Sequence, residues 1–253
     1  MKKNLLLLLI ITILGIGVYG QNKSFDELTF NLDTLKPQVL PLEPIPFKLT
    51  LANNTDAPIT VETALSFQWG GLRLEIKKPN GKVVVPTQNS FLTGRMIIIP
   101  KDISPAEKLE STEVFEFKIQ DYFGQVGEYQ IRARLSNKDG KTVRSGWVSI
   151  NVEEPTSSDK IAYDYLKKRL DRHSNNSMPF IAWDSDELEG FVLQHPGTTY
   201  ANYARYSLGE RYFERDKEKA EAQFRQIQDS TFFYAKEVAE KLKKLESQLQ
   251  NEN

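Results

Sequence analysis

Four carboxylates crowd the stretch AWDSDELEGF at 182–191: Asp184, Asp186, Glu187 and Glu189. Such a cluster can hold a hard cation, share out acid and base roles, or neutralise the positive end of a helix. Spacing decides among these. A calcium loop of the EF-hand type needs Gly at its sixth position and a carboxylate at its twelfth. Counted from Asp184, those positions hold Glu189 and His195. Zinc needs His or Cys at set intervals, and the chain has 2 His and no Cys. Read instead as a helix start, the stretch is coherent. Asp184 is the N-cap, Glu187 falls at N3 in a capping-box spacing, and Trp183 and Leu188 flank the cap as a hydrophobic staple. The cluster is expected to begin a helix, with no metal site and no cofactor site.

The two histidines are the remaining candidates for neutral-pH base chemistry. His173 lies in LDRHSNN and His195 in QHPG, both at expected helix C-termini, where an imidazolium complements the dipole. No serine-elbow, zinc-helix, phosphate-loop or dinucleotide fingerprint occurs in the chain. No catalytic residue is assigned. A hydrolase with carboxylates dispersed in sequence stands as the alternative, because that geometry exists only in three dimensions.

The elements around these residues fall into two rhythms. The 253 residues are 40% hydrophobic and 26% charged, a globular balance. Lys+Arg is 33 against 34 for Asp+Glu, so no basic excess is there to neutralise phosphates, and nucleic acid is not an expected partner. The opening MKKNLLLLLIITILGIGVYGQ has two lysines, an apolar run and small residues at Val18 and Gly20, the layout of a signal peptide over 1–20 cut before Gln21. Export to the periplasm or outside the cell follows, with membrane attachment only if that segment stays uncleaved. Absence of Cys rules out disulfides, thiol catalysis and a Cys-linked lipid anchor.

From 21 to 153 apolar residues alternate. Leu28, Phe30 and Leu32 share one face, as do Phe47, Leu49 and Leu51, and Leu72, Leu74 and Ile76. Turn signals NNTDAP, PNGK and NKDGK separate the runs, and VFEFKI, EYQIRARL and WVSINV complete them. About seven or eight short strands without a helix-period segment predict an antiparallel β-sandwich. EEPTSSDK supplies a linker at 154–159, after which the period changes to 3.6 through 160–250. Helices are expected at 185–194, 199–214, 216–228 and 232–249.

GEYQIRARLSNKDGKTVRSGWVSINVEEP and EPIPFKLTLANNTDAPITV resemble strands of immunoglobulin-like (Ig-like) domains, with Tyr129 near the start of the penultimate strand. LGERY at 208–212 and AEAQF at 220–224 resemble helices A and B of a tetratricopeptide (TPR) repeat, with Arg205 where an apolar residue is usual. FVLQHPGTTYANYA resembles a phrase of repeats in bacterial envelope-assembly lipoproteins. These likenesses imply a multidomain β-plus-α chain: an Ig-like β-sandwich followed by a short TPR-like helical domain. They further imply an exported, non-catalytic interaction or scaffold module of the bacterial cell envelope. Its helical repeats would bind a protein or peptide along a concave face carrying Tyr203, Tyr206, Glu210 and Phe213. For each Tyr, packing between helices stands beside that reading. An accessory or inhibitor module of a secreted enzyme is a further alternative.

Overall fold

A computed structural model describes residues 23–67, 71–86, 99–116, 119–172, 180 and 183–252. The expected signal peptide, its cleavage point and His173 lie outside the described residues. Among the described residues no helix is long and apolar enough to cross a membrane.

The chain is β first and α second. Its strands are β1 Thr29–Thr34, β2 Gln38–Val39, β3 Ile45–Ala52, β4 Ile59–Val61, β5 Leu72–Lys77, β6 Val83–Val84, β7 Lys101–Ile103, β8 Lys108–Phe115, β9 Gly127–Ser136, β10 Thr142–Arg144 and β11 Val148–Val152. The alternating residues do what alternation requires. Phe30 and Leu32, Phe47, Leu49 and Leu51, and Leu72, Leu74 and Ile76 are all buried. One sheet has the order β1-β3-β8; a second runs β2-β11-β9-β5-β6 with β10 also on β9; β4 and β7 form a separate pair. β1 packs on β9, β10 and β11, so the inner faces of the two larger sheets share one core.

Two local features depart from the sequence reading. After β1 the chain changes sheets, and β2 lies parallel to β11, Val39 opposite Val152, whereas every other recorded strand pair is antiparallel. Asn151 N–H donates to Pro37 O at 2.8 Å and Glu153 N–H to Val39 O at 2.9 Å, which holds that short parallel ladder. VFEFKI is not one strand either. β8 stops at Phe115, and Ile119–Phe123 is a helical turn, α1. Ile119 and Phe123 are four apart and each 1% exposed, so the helical period outweighs the alternation there. Just beyond, the Tyr129 hydroxyl donates to Gln125 O at 2.9 Å and accepts from Gln125 N–H at 3.2 Å, with the ring wholly buried.

The helices are α2 Ser157–Arg172, α3 Ser185–Gln194, α4 Thr199–Tyr212, α5 Lys217–Arg225 and α6 Ala235–Glu252. α2 begins inside the expected linker, so only 153–156 separates strand from helix. Its first turn is acidic, and the Asp159 carboxylate accepts from Thr199 N–H at 2.8 Å, tying α2 to the start of α4. α3 begins on the Asp184 cap: Asp184 Oδ1 accepts from Glu187 N–H at 2.8 Å, and Trp183 and Leu188 are both buried. Thr198 and Asp216 cap α4 and α5 in the same way. Gly209 lets α5 come close to α4. A Cβ there would stand 2.3 Å from the Phe224 ring. Leu208, Ala220 and Phe224 are buried around it, and Arg205 is buried at 5% exposure in a place where burial holds its guanidinium below the usual arginine range.

Candidate functional site

The β and α halves meet at the turn before β3, PLEP at 41–44. Glu43 is 1% exposed, a buried carboxylate that survives because it is paired on every side. Lys36 forms an ion pair with it, Leu40 N–H donates to Oε2 at 2.8 Å, and the Tyr203 hydroxyl donates to Oε1 at 2.8 Å. Three residues earlier on α4, the Tyr200 hydroxyl donates to Pro41 O at 2.7 Å. Burial first, and Glu43 second, push both phenols far above the ordinary tyrosine range, so both remain protonated donors. Ala162, Leu166 and Leu170 of α2 join the same buried cluster as the strand residues, so the seam is continuous with the core.

Leu42 sits at the centre of this turn with φ 69°, a left-handed conformation that bulky residues avoid. Burial on the seam holds it there, at 2% exposure. Beside it opens a cleft of about 360 Å³, within the range of small-ligand and peptide-side-chain sites. The β half contributes Leu42, Lys78, Asp121, Gly124, Gln125 and Tyr129 to its wall, and α2 contributes Tyr163, Lys167 and Leu170. Lys78 Nζ donates to Asp121 O at 2.6 Å, which closes one end of the wall. On the other side the Lys160 and Lys167 ammoniums lie 5.1 and 6.0 Å from the Tyr163 ring, an aromatic edge flanked by positive charge. Two ammoniums, a carboxylate, an amide and two phenols, with the apolar Leu42 and Leu170, line a cleft that can seat an extended segment. Its acidic side chain or carboxylate terminus would meet Lys78 and Lys167.

The four residues drawn from the repeat resemblance all lie on or just beyond α4, and each has a partner within the chain. Tyr203 is 3% exposed and belongs to the seam. The Tyr206 ring stacks on Tyr234 at 4.1 Å and 8°, and burial, with Glu210 and Glu237 nearby, pushes its hydroxyl upward. Glu210 pairs with Lys241 of α6 at 2.9 Å. Phe213 is buried, with the Lys241 and Lys244 ammoniums 4.8 and 4.9 Å from its ring. Tyr203 and Phe213 are thus buried, while Tyr206 stays half-buried and Glu210 exposed.

His195 ends α3: its backbone N–H donates to Phe191 O at 3.0 Å, and its ring lies 4.9 Å from that of Phe191 and 5.3 Å from that of Tyr165. Burial lowers its pKa, which favours the neutral ring. Glu187 pairs with Arg169 of α2, and Glu189 accepts from the Tyr212 hydroxyl at 2.7 Å, so two of the four clustered carboxylates join helices to one another. Among the described residues no group of three or more His, Asp or Glu could hold a metal ion.

The class these features define is a β-plus-α protein whose halves close on one core and leave a cleft at the join. No family model matches the chain and no curated protein matches it. Similar solved structures include Spo0M, a sporulation control protein from Bacillus subtilis, at 14% identity and a TM-score of 0.35, covering 57% of this chain and 56% of that one. The alkylpurine DNA glycosylase AlkC from Pseudomonas fluorescens matches at 12% identity and 0.32, covering 51% of this chain and 31% of that one. The CARDB domain of the PF1109 protein from Pyrococcus furiosus matches at 14% identity and 0.27, covering 52% and 94%. At these TM-scores the likenesses carry no conclusion about fold or function.

Proposed function

We propose that this chain is an exported, non-catalytic interaction module of the bacterial cell envelope, an Ig-like β-sandwich joined to a short TPR-like helical unit, that binds a protein or peptide segment. The buried Tyr129 hydroxyl, bonded to the backbone four residues upstream, supports the Ig-like reading. The Gly209–Phe224 approach between α4 and α5 supports the repeat-like reading. The leading segment at 1–20 supports export.

The observation that carries the binding role is the cleft at the join. It is bounded by groups from both halves, which Glu43, Tyr200 and Tyr203 hold together, so its shape exists before the partner arrives. This moves the docking position from the α4 face to the flank of α2 that carries Tyr163 and Lys167. A photo-crosslinking residue in place of Gln125 tests it in intact cells, with Leu193, 81% exposed on α3, as the control position. A discrete protein adduct from position 125, lost in Lys78→Glu/Lys167→Glu, is expected. Equal adducts from both positions, or none from 125, would remove the cleft from the function.

A further inference from the structure

The outward face of the six-stranded sheet carries a pattern that the cleft does not use. Strand register sets Arg73 of β5 opposite Arg134 of β9, and Arg134 opposite Arg144 of β10. Three arginines thus stand in one row across three adjacent strands, whose backbones lie roughly 5 Å apart. Like charges set directly opposite oppose sheet pairing. Among the described residues one carboxylate, Glu75 on the next row, pairs with arginines of this face, and it is already engaged. Arg132 grips it at 2.6 Å, and Arg144 lies 3.5 Å from its other oxygen.

Arg134, at the centre, takes no share of Glu75. Its Nε is shut off from solvent and lacks a hydrogen-bond partner among the described residues. Arg73 donates to Leu72 O at 2.9 Å, and burial first, then the Arg134 charge, hold its guanidinium below the usual arginine range. Arg73 and Arg134 are half-buried and Arg144 is exposed, and such a row of forked donors suits oxyanions, which guanidinium binds in a flat two-pronged fit. The adjoining group narrows the class. Trp147, just before β11, lies under the Arg132 guanidinium at 4.5 Å and remains 40% exposed. An indole beside an arginine row offers an apolar platform to the C–H face of a sugar ring while the row takes its acidic groups.

We infer that this sheet face is a binding site for an acidic glycan, with Arg73, Arg134 and Arg144 receiving carboxylate, sulfate or phosphate groups and Trp147 receiving a sugar ring.

Calorimetric titration of the intact chain with a heparin octasaccharide tests this, with a neutral cello-oligosaccharide, inorganic phosphate and phosphatidylglycerol vesicles as parallel arms. The octasaccharide is expected to bind with an affinity that falls as salt rises, and the neutral sugar not to bind. Arg134→Ala should weaken binding at least tenfold, Arg134→Lys less, and Trp147→Ala several-fold. Arg134→Ala should also keep or raise the thermal midpoint, because it removes a like-charge contact. Failure of the octasaccharide to bind overturns the inference, as does binding that Arg134→Ala or Trp147→Ala leaves unchanged. Saturation by phosphate at the same affinity would reduce the row to a simple ion site, and vesicle binding without glycan binding would assign it to lipid. A lowered midpoint with unchanged binding would make the row structural.

Discussion

The Tyr203 hydroxyl meets Glu43 Oε1 at 2.8 Å across 160 positions of sequence, in a place closed to solvent. This one bond joins a turn of the β half to the middle of α4, and it satisfies part of a charge that could not otherwise stay buried. Tyr203→Phe keeps the ring and removes the donor. It should cost about 1.5–3 kcal/mol, the range for a hydrogen bond to a charged group. Because the bond belongs to both halves, near- and far-ultraviolet circular dichroism should shift to lower urea together. Two separate transitions, or a cost below about 0.5 kcal/mol, would show that the halves do not depend on it.

Gly209 faces the Phe224 ring so closely that an added methyl would stand 2.3 Å from Cε1. On an open helix Gly→Ala gains about 1 kcal/mol. Here the ring is wholly buried, with Tyr206 and Phe213 beside it, and has no room to retreat. Gly209→Ala should therefore destabilise by about 1–3 kcal/mol in urea titration, and adding Phe224→Leu should recover part of the loss. A stabilised Gly209→Ala would mean that α4 and α5 stand further apart.

Glu116 follows β8 near Tyr234, whose hydroxyl is pushed up by burial first and by the Glu116 charge second, and burial pushes the Glu116 carboxyl up from 4.5 to about 7. The folded chain then holds this proton more tightly than the unfolded one. Its contribution is complete below pH 4.5 and is lost as pH rises toward and through 7. Glu116→Gln mimics the protonated form. It should match the parent at pH 4 and exceed it by about 1–3 kcal/mol at pH 8 in thermal unfolding. An equal difference at both pH values would mean that the carboxyl titrates normally.

How far the residues announced this arrangement depends on the scale of each feature. Strand faces such as Phe47, Leu49 and Leu51, and the helix at 185–194, were legible because a period of 2 or 3.6 is local. Gly209 was legible for the same reason, as a small residue one position from Leu208 in a repeat-like phrase. What covers a face is not local. The α4 residues Tyr203, Tyr206, Glu210 and Phe213 read as a concave face or, for each Tyr, as packing between helices; their partners include Glu43, Tyr234 and Lys241, and no spacing in PLEP marks Glu43 as the partner of a tyrosine. The cleft draws Lys78, Gln125 and Lys167 from three separate stretches. The arginine row exists only once strand register sets Arg73, Arg134 and Arg144 side by side. The short helix at Ile119 was hidden because a four-residue spacing fits strand alternation and a helical turn alike.

The acidic stretch before α3 makes the sharpest demand on such reasoning, because its residues suit a metal in type and a helix in spacing. Asp184 Oδ1 caps Glu187 N–H at 2.8 Å, while the Glu187 side chain turns to Arg169 of α2 instead of back to the cap. Half of the capping-box exchange is thus traded for a link between helices. Asp184→Ala should cost about 1 kcal/mol and Asp184→Asn almost nothing, since an amide oxygen caps as well as a carboxylate. A calcium site would behave in the opposite way, because Asn gives up the charge that a hard cation needs. Thermal midpoints with millimolar calcium or zinc should equal those with a chelator for the parent and for both variants. A midpoint that rises with calcium, and does so less in Asp184→Asn, would return the cluster to metal chemistry.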